Sequence, residues 1–292
     1  MSGPNRIFDR QLLRARKARA ATGMERHVFL LQHVAADLAD RLSIMQRRFE
    51  TALDLGAHGA LLQDSVLRTG KVGRMLRAAI APGLCGPADR ASLVCDEEAL
   101  PFAPQSLDLV VSALSLQFVN DLPGTLLQVR RALKPDGLFL AAMLGGGTLH
   151  ELRSAFAAAE IETIGGISPR VAPFADVRDL GQLMQRAGFA LPVADTEVLT
   201  ATYPSPLALM CELKGMGASN IMCDRRKTPL RRATLAAVER HYRREFARGD
   251  RIAATFEIVT LTGWAPHDSQ QKPLRPGSAR ASLAEAVKKT TS

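Results

Sequence analysis

Cysteine is scarce: Cys85, Cys95, Cys211 and Cys223 are the four in a chain of 292 residues. None forms a C-x-x-C pair, which gives no support to a zinc ribbon or a dithiol redox centre; reduced thiols, buried or in loops, are expected. Aromatic residues make up only 5%, with a single Trp, so there are few faces on which nucleobases can stack. No run of about 18 apolar residues occurs, and a transmembrane segment is not expected. The first residues lack the apolar core of a secretory signal. The G-x-S-x-G, H-E-x-x-H and P-loop patterns are missing. His58 has no second His, Cys or acid at ligand spacing, so no metal site is expected. One shortage is local: between Ser65 and Ala88 there is no Asp or Glu.

What is present is ordinary for a globular α/β protein, with 47% hydrophobic and 23% charged residues. The net charge of +9 gathers partly in two clusters. One is Arg6, Arg10, Arg14, Arg16, Lys17 and Arg19, read as a solvated basic arm because Asp9 interrupts any presequence-like pattern. The other runs from Arg225-Arg226-Lys227 through Arg231-Arg232 to Arg240, Arg243 and Arg244. Neither interleaves aromatics, which argues against nucleic acid; an acidic protein or an anionic membrane surface fits at least as well.

Apolar periodicity sets the element order. Residues 1–24 read as an extended or partly helical arm. From Met24 to Met45 the residues Val28, Leu31, Val34, Ala35, Leu38 and Leu42 share a helical face. Short apolar strands at Phe49–Leu55, Val72–Ile80, Ala91–Cys95, Ser106–Leu114 and Leu138–Leu144 alternate with helices at 59–69 and 121–133. Lys134-Pro135-Asp136-Gly137 is read as a stop before the fifth strand. The second half carries helices at 149–161, 176–187, 204–217 and 229–247, with strands at Pro192–Ala201 and Thr255–Trp264. This alternation predicts an α/β fold on a mostly parallel, doubly wound sheet. Three parts are expected: residues 1–45 as basic arm and N-terminal helix, 46–264 as the main domain with a helical insertion near 203–250, and 265–292 as a flexible tail with a helical patch at Ser282–Val287.

In such sheets ligands lie outside the carboxyl ends of the strands. Four places there stand out. Asp54-Leu55-Gly56 ends the first strand, and a glycine lets backbone approach a ligand. Asp96-Glu97-Glu98 follows the third strand and offers either an acceptor for an adenine amino group or a solvated loop. Ser112 to Asp121 follows the fourth strand; Gln117 and Asn120 are suited to orient a substrate, while Asn120 or Asp121 equally suits the cap of the next helix. Gly145-Gly146-Gly147 gives either room for substrate or a flexible turn.

Taken in order, Leu53-Asp54-Leu55-Gly56, Leu100-Pro101-Phe102, Ser106-Leu107-Asp108-Leu109-Val110-Val111 and Leu133-Lys134-Pro135-Asp136-Gly137 resemble the class I S-adenosylmethionine-dependent methyltransferases. A narrower likeness spans nearly the full chain. Ile7-Phe8-Asp9-Arg10, Ser115 to Pro123, Gly145 to Leu149, Asp179-Leu180-Gly181, Ala187-Gly188-Phe189, Leu213 to Asn220 and Gly263-Trp264 are similar to the mitochondrial complex I assembly-factor methyltransferase-like family and its bacterial relatives. That family is also similar to the malonyl-carrier-protein O-methyltransferases.

The resemblance implies a Rossmann-like class I methyltransferase fold and S-adenosyl-L-methionine as cofactor, held by Asp54, Gly56, Gly59, Asp96, Glu97 and Ser112. Gln117, Asn120 and Gly146 would face the substrate. It implies action on a protein side chain in respiratory complex I assembly, by methyl transfer or arginine hydroxylation, with a protein substrate or assembly partner. Two alternatives stand beside it: a catalytically degraded scaffold that binds a partner subunit, and a malonyl-carrier-protein or small-molecule O-methyltransferase. The implied location is the mitochondrial matrix in a eukaryote; in a bacterium it is the cytoplasm, at most peripheral to the inner membrane.

The sequence also departs from the family pattern. In the usual D-L-G-x-G-x-G turn, His58 and Ala60 occupy two glycine positions, with Gly59 one place out of register. Ala79 stands about where an acid usually ends the second strand and holds the ribose. Phe118 replaces a common Trp. These losses imply weakened or lost cofactor affinity, since a missing charge-assisted bond costs on the order of 1.5–3 kcal/mol.

Overall fold

The computed structural model describes residues 6–86 and 91–271. The expected helical patch near Ser282 lies outside these residues. Helix α1 (Arg10–Ala20) and a 3-10 turn (Ala21–Arg26) lead into α2 (Phe29–Ser43). Then follow β1 (Phe49–Leu55), α3 (Leu61–Arg68), β2 (Val72–Ala79), β3 (Ser92–Val94) and β4 (Leu107–Ala113). Next come α4 (Leu122–Ala132), β5 (Leu133–Leu144), α5 (His150–Ile164), α6 (Val177–Arg186) and β6 (Ala190–Tyr203). Helices α7 (Pro206–Gly215) and α8 (Arg232–Phe246), with the two-residue strand β7 (Ala247–Arg248), precede β8 (Arg251–Trp264).

One sheet has the order β3-β2-β1-β4-β5-β8-β6, with β7 paired to β8. The pairs from β3 to β5 are parallel; β8 runs antiparallel between β5 and β6. Alternation along β5 shows why the sequence takes this form. Leu138, Leu140, Ala142 and Leu144 pack with α2, α5 and α8 on one face. Phe139, Ala141 and Met143 pack with α4 and α6 on the other. A strand buried on both faces must be apolar throughout, as these are.

Helix ends follow side-chain chemistry. Asp121 accepts from Gly124 N at the start of α4, and Asp176 from Arg178 N at the start of α6. One expectation changes: the stop at Lys134 to Gly137 lies inside β5. Leu133 pairs with Leu107 and Leu138 with Leu109, so the ladder shifts register and the four residues bulge, with Asp136 at φ +60°.

The N-terminal segment is also corrected. It is not a solvated arm. Phe8, Leu13, Met24 and Lys17 are buried, and Phe8 bridges to Met222. Arg10, Leu13 and Lys17 stand at i, i+3 and i+7, which places one basic-and-apolar stripe of α1 against the body of the protein.

Candidate active-site crevice

The carboxyl ends of β1, β3 and β4 converge with α1 above them. Asp54 is 1% exposed, and its Oδ2 has no hydrogen-bond partner among the described residues. Burial raises its carboxyl to about 8, with the charge of Arg77 working in the other direction. Gly56 sits at φ +78°; a Cβ there would collide with the Ser115 side chain and come within 3.0 Å of Glu97 Oε1. The turn therefore needs glycine twice over, for its backbone angle and for its packing. Gly59 is also left-handed, at φ +84°, but has open space around it.

The acids after β3 are not solvated. Arg10 reaches down from α1 and donates to Asp96 Oδ1 at 2.6 Å, to Glu97 Oε2, and to the carbonyl of Phe118 at 3.1 Å. Glu97, only 2% exposed, also accepts from Ser115 Oγ at 2.5 Å. Burial opposes the charge on Arg10, yet Glu97 and Asp96 outweigh it and hold the guanidinium protonated. Asp54, Gly56, Asp96 and Glu97 thus form one neighbourhood. Ser112 is buried beside them: its hydroxyl donates to the carbonyl of Leu55, between Asp54 and Gly56, at 2.7 Å and ties β4 to β1.

Residues expected to face substrate divide between two hollows. Gln117 lines a cavity of about 320 Å3; its Nε2 donates to Leu114 O, and its buried Oε1 has no partner among the described residues. Asn120 and Gly146 line a separate open cleft. The Asn120 side chain accepts from Phe8 N at 2.8 Å and donates to Phe8 O at 3.1 Å, so it holds the N-terminal segment in place. The cap of α4 falls to Asp121, one of the two candidates. Gly145 and Gly147 wrap the Glu257 side chain: a Cβ on either would come within 2.8 Å of it, and Gly147 N donates to its carboxylate. That loop is a packed clamp at Gly145 and Gly147, whereas a Cβ on Gly146 would make only ordinary contact, at 3.6 Å from Phe174 O.

Lys17 and Arg10 stand at this site and escape motif reading. Lys17 Nζ lies 2.6 Å from His58 Nε2 and 3.1 Å from Met216 O. Burial lowers the Lys17 ammonium to about 8, with Glu97 opposing. Burial and the Lys17 charge hold the His58 ring neutral, although its bond to the Gly56 backbone favours the charged form. Arg10 is the other. The i, i+3, i+7 stripe was their only sequence signal.

Asp54 offers a buried acceptor without a donor among the described residues, which suits the amino-acid end of S-adenosylmethionine, whereas the Gly56 N–H beside it is already bonded to Ala78 O. The ribose end has no such match, because β2 ends in Ala79, fully buried and without a carboxylate.

Comparison with known proteins agrees with this fold. Residues 53–141 match the model of a methyltransferase domain. The arginine-hydroxylase NDUFAF5 of Mus musculus is 42% identical over 291 residues, covering 97% of this chain and 84% of that protein. The malonyl-[acyl-carrier protein] O-methyltransferase of Halorhodospira halophila is 34% identical over 287 residues, covering 95% of each. Among solved structures, phosphoethanolamine N-methyltransferase 2 of Haemonchus contortus, in complex with S-adenosylhomocysteine, superposes with a TM-score of 0.51 at 17% identity, over 87% of this chain and 61% of that one. At that identity the likeness speaks for the fold alone. Relatives of such identity and coverage leave no gap between fold and lineage: the chain belongs to the class I methyltransferase-like family that includes the mitochondrial arginine-hydroxylase NDUFAF5 proteins and bacterial malonyl-carrier-protein O-methyltransferases.

Proposed function

We propose that this chain binds S-adenosylmethionine at the β1 turn and modifies a side chain of a protein substrate during assembly of a respiratory complex. The observation that carries the reading is the buried, partnerless Oδ2 of Asp54 beside the left-handed Gly56. A buried acceptor of this kind calls for a donor, and the ammonium of an amino-acid moiety supplies one. Asp54 would hold that end and Asp96 the adenine. When bound, the cofactor supplies an electrophilic methyl group. The chain's own contribution is to position the acceptor side chain and exclude water. The names of the NDUFAF5 relatives favour an arginine as the residue modified; hydroxylating it would need an external oxidant of the dioxygen class, which a methyl donor does not supply.

A second reading has its own support. Arg10 already occupies the carboxylates of Asp96 and Glu97, and no acid ends β2. A scaffold that has given up the cofactor would look like this. The basic cluster on α8, the natural docking surface for an acidic partner, is partly neutralised, however: Arg240, Arg243 and Arg244 pair with Glu162, Glu239 and Glu245.

Complementation separates the two. Cells lacking the protein are supplied with wild type or Asp54→Ala, and complex subunits are analysed by mass spectrometry. The enzyme reading expects one residue to gain a methyl group or an oxygen atom with wild type and not with Asp54→Ala. Full rescue of complex assembly by a folded Asp54→Ala protein would favour the scaffold.

A further inference from the structure

The positive charge of the chain is not spread evenly. Residues 6–27 and 212–232 hold thirteen Lys and Arg against four Asp and Glu, an excess of nine, which equals the net charge of +9 for the whole sequence. The rest of the chain is therefore neutral. The fold lays these two segments side by side. Phe8 bridges to Met222, Asp9 N donates to Ile221 O, and Cys223 N donates to Ile7 O. Arg16 donates to Asn220 O, and Arg225 pairs with Asp9 at 3.4 Å. Burial lowers the Arg16 guanidinium, and the charges of Arg225 and Arg19 lower it further, so cations from both segments share one neighbourhood. Arg6, Arg14, Arg19, Arg26, Arg226 and Lys227 are exposed and form no ion pair among the described residues. The face borders the candidate site: Arg6, Met222 and Asp224 line the open cleft beside Asn120 and Gly146. A body seated on the face thus also covers the mouth of that cleft. A protein can extend a loop into it, whereas a bilayer surface lies flat. Among the described residues of the two segments, Ile7 is the one large apolar side chain that is exposed, which gives little to anchor in lipid. Phe8, their single aromatic residue, is buried and offers no face to a nucleobase.

We propose that this basic face is where the substrate protein docks, through an acidic surface of its own that flanks the segment entering the cleft. The inference rests on the protein-substrate reading above and adds the chemistry of the partner to it. Single exposed charge pairs contribute little. A field of one sign, however, speeds encounter and orients the partner before contact.

Fluorescence anisotropy of a labelled oligoglutamate peptide, titrated with the full chain, tests the face directly. Vesicles of phosphatidylcholine with phosphatidylglycerol, and an oligothymidylate of equal charge, are the competing probes. The peptide should bind saturably and more tightly than either, and several times more weakly at about 150 mM than at about 50 mM salt. The triple variant Arg19→Glu, Arg226→Glu, Lys227→Glu should weaken it about tenfold or more. A control of the same total charge, Arg48→Glu, Arg131→Glu, Arg186→Glu, alters exposed positions elsewhere and should lose less than about threefold. In the complementation assay, the face variant should lower the modified fraction of the subunit severalfold, and the control should match wild type. Tighter binding of vesicles or oligonucleotide by wild type would overturn the proposal. So would an equal loss of peptide in both triple variants, or a full modified fraction with the face variant. Failure of the enzyme reading looks different: wild type would then modify no subunit, whatever the peptide titration gives. The comparison of the three probes uses wild type only, so it decides even if a variant fails to fold.

Discussion

Asp54 and Lys17 are ionisable side chains buried against their preference, and each leaves a signature in stability. Asp54 keeps its proton up to about 8, whereas its ordinary value is 3.8. Between those values the unfolded chain binds fewer protons than the folded one, so stability falls as pH rises across that window. Asp54→Asn should remove this slope, which thermal melts across the window would show. Lys17 behaves in the opposite sense. Its value falls from 10.5 to about 8, so over that range the unfolded chain holds more protons and stability rises with pH. Lys17→Met should flatten that alkaline rise. Gly56→Ala should cost about 1–3 kcal/mol, from the left-handed backbone and the collision with Ser115; urea unfolding midpoints would measure it. Asp54 and Gly56 were legible in the sequence because strand-end motifs are local. Lys17 was not, since its partners His58 and Met216 lie 41 and 199 residues away.

Among the elements, α1 departs furthest from expectation. A run of six cations around one Asp reads as solvated when charge is counted without direction. Once α1 is helical, Arg10, Leu13 and Lys17 turn to the same side and meet carboxylates and apolar surface supplied by distant segments. The Arg10–Glu97 pair is buried on both sides, at 11% and 2% side-chain exposure. Removing one partner strands the other, so Arg10→Met should destabilise by about 3–5 kcal/mol. The double variant Arg10→Met with Glu97→Gln should recover much of that loss in the same denaturation assay. The central strands, by contrast, were readable: a strand covered on both faces has no freedom in its apolar pattern, and β1 begins and ends where the sequence placed it. The Gly145–Gly147 loop was ambiguous because its packing partner, Glu257, is 110 residues from Gly147.

At the scale of the whole molecule, the fold was legible because strand, helix and glycine signals agree along most of the chain. The same agreement explains why comparisons reach relatives over 97% of its length. The cofactor question belongs to this scale too, since its answer depends on β1, β2, β3 and α1 together. The Asp54 acceptor and the Gly56 turn favour binding; the Ala79 strand end and the Arg10 engagement of Asp96 and Glu97 weaken it. Isothermal titration with S-adenosylmethionine and S-adenosylhomocysteine weighs these directly. Saturable binding of both, lost in a folded Asp54→Ala variant, is the predicted result. No heat of binding at millimolar cofactor, with the wild-type fold intact by circular dichroism, would contradict it.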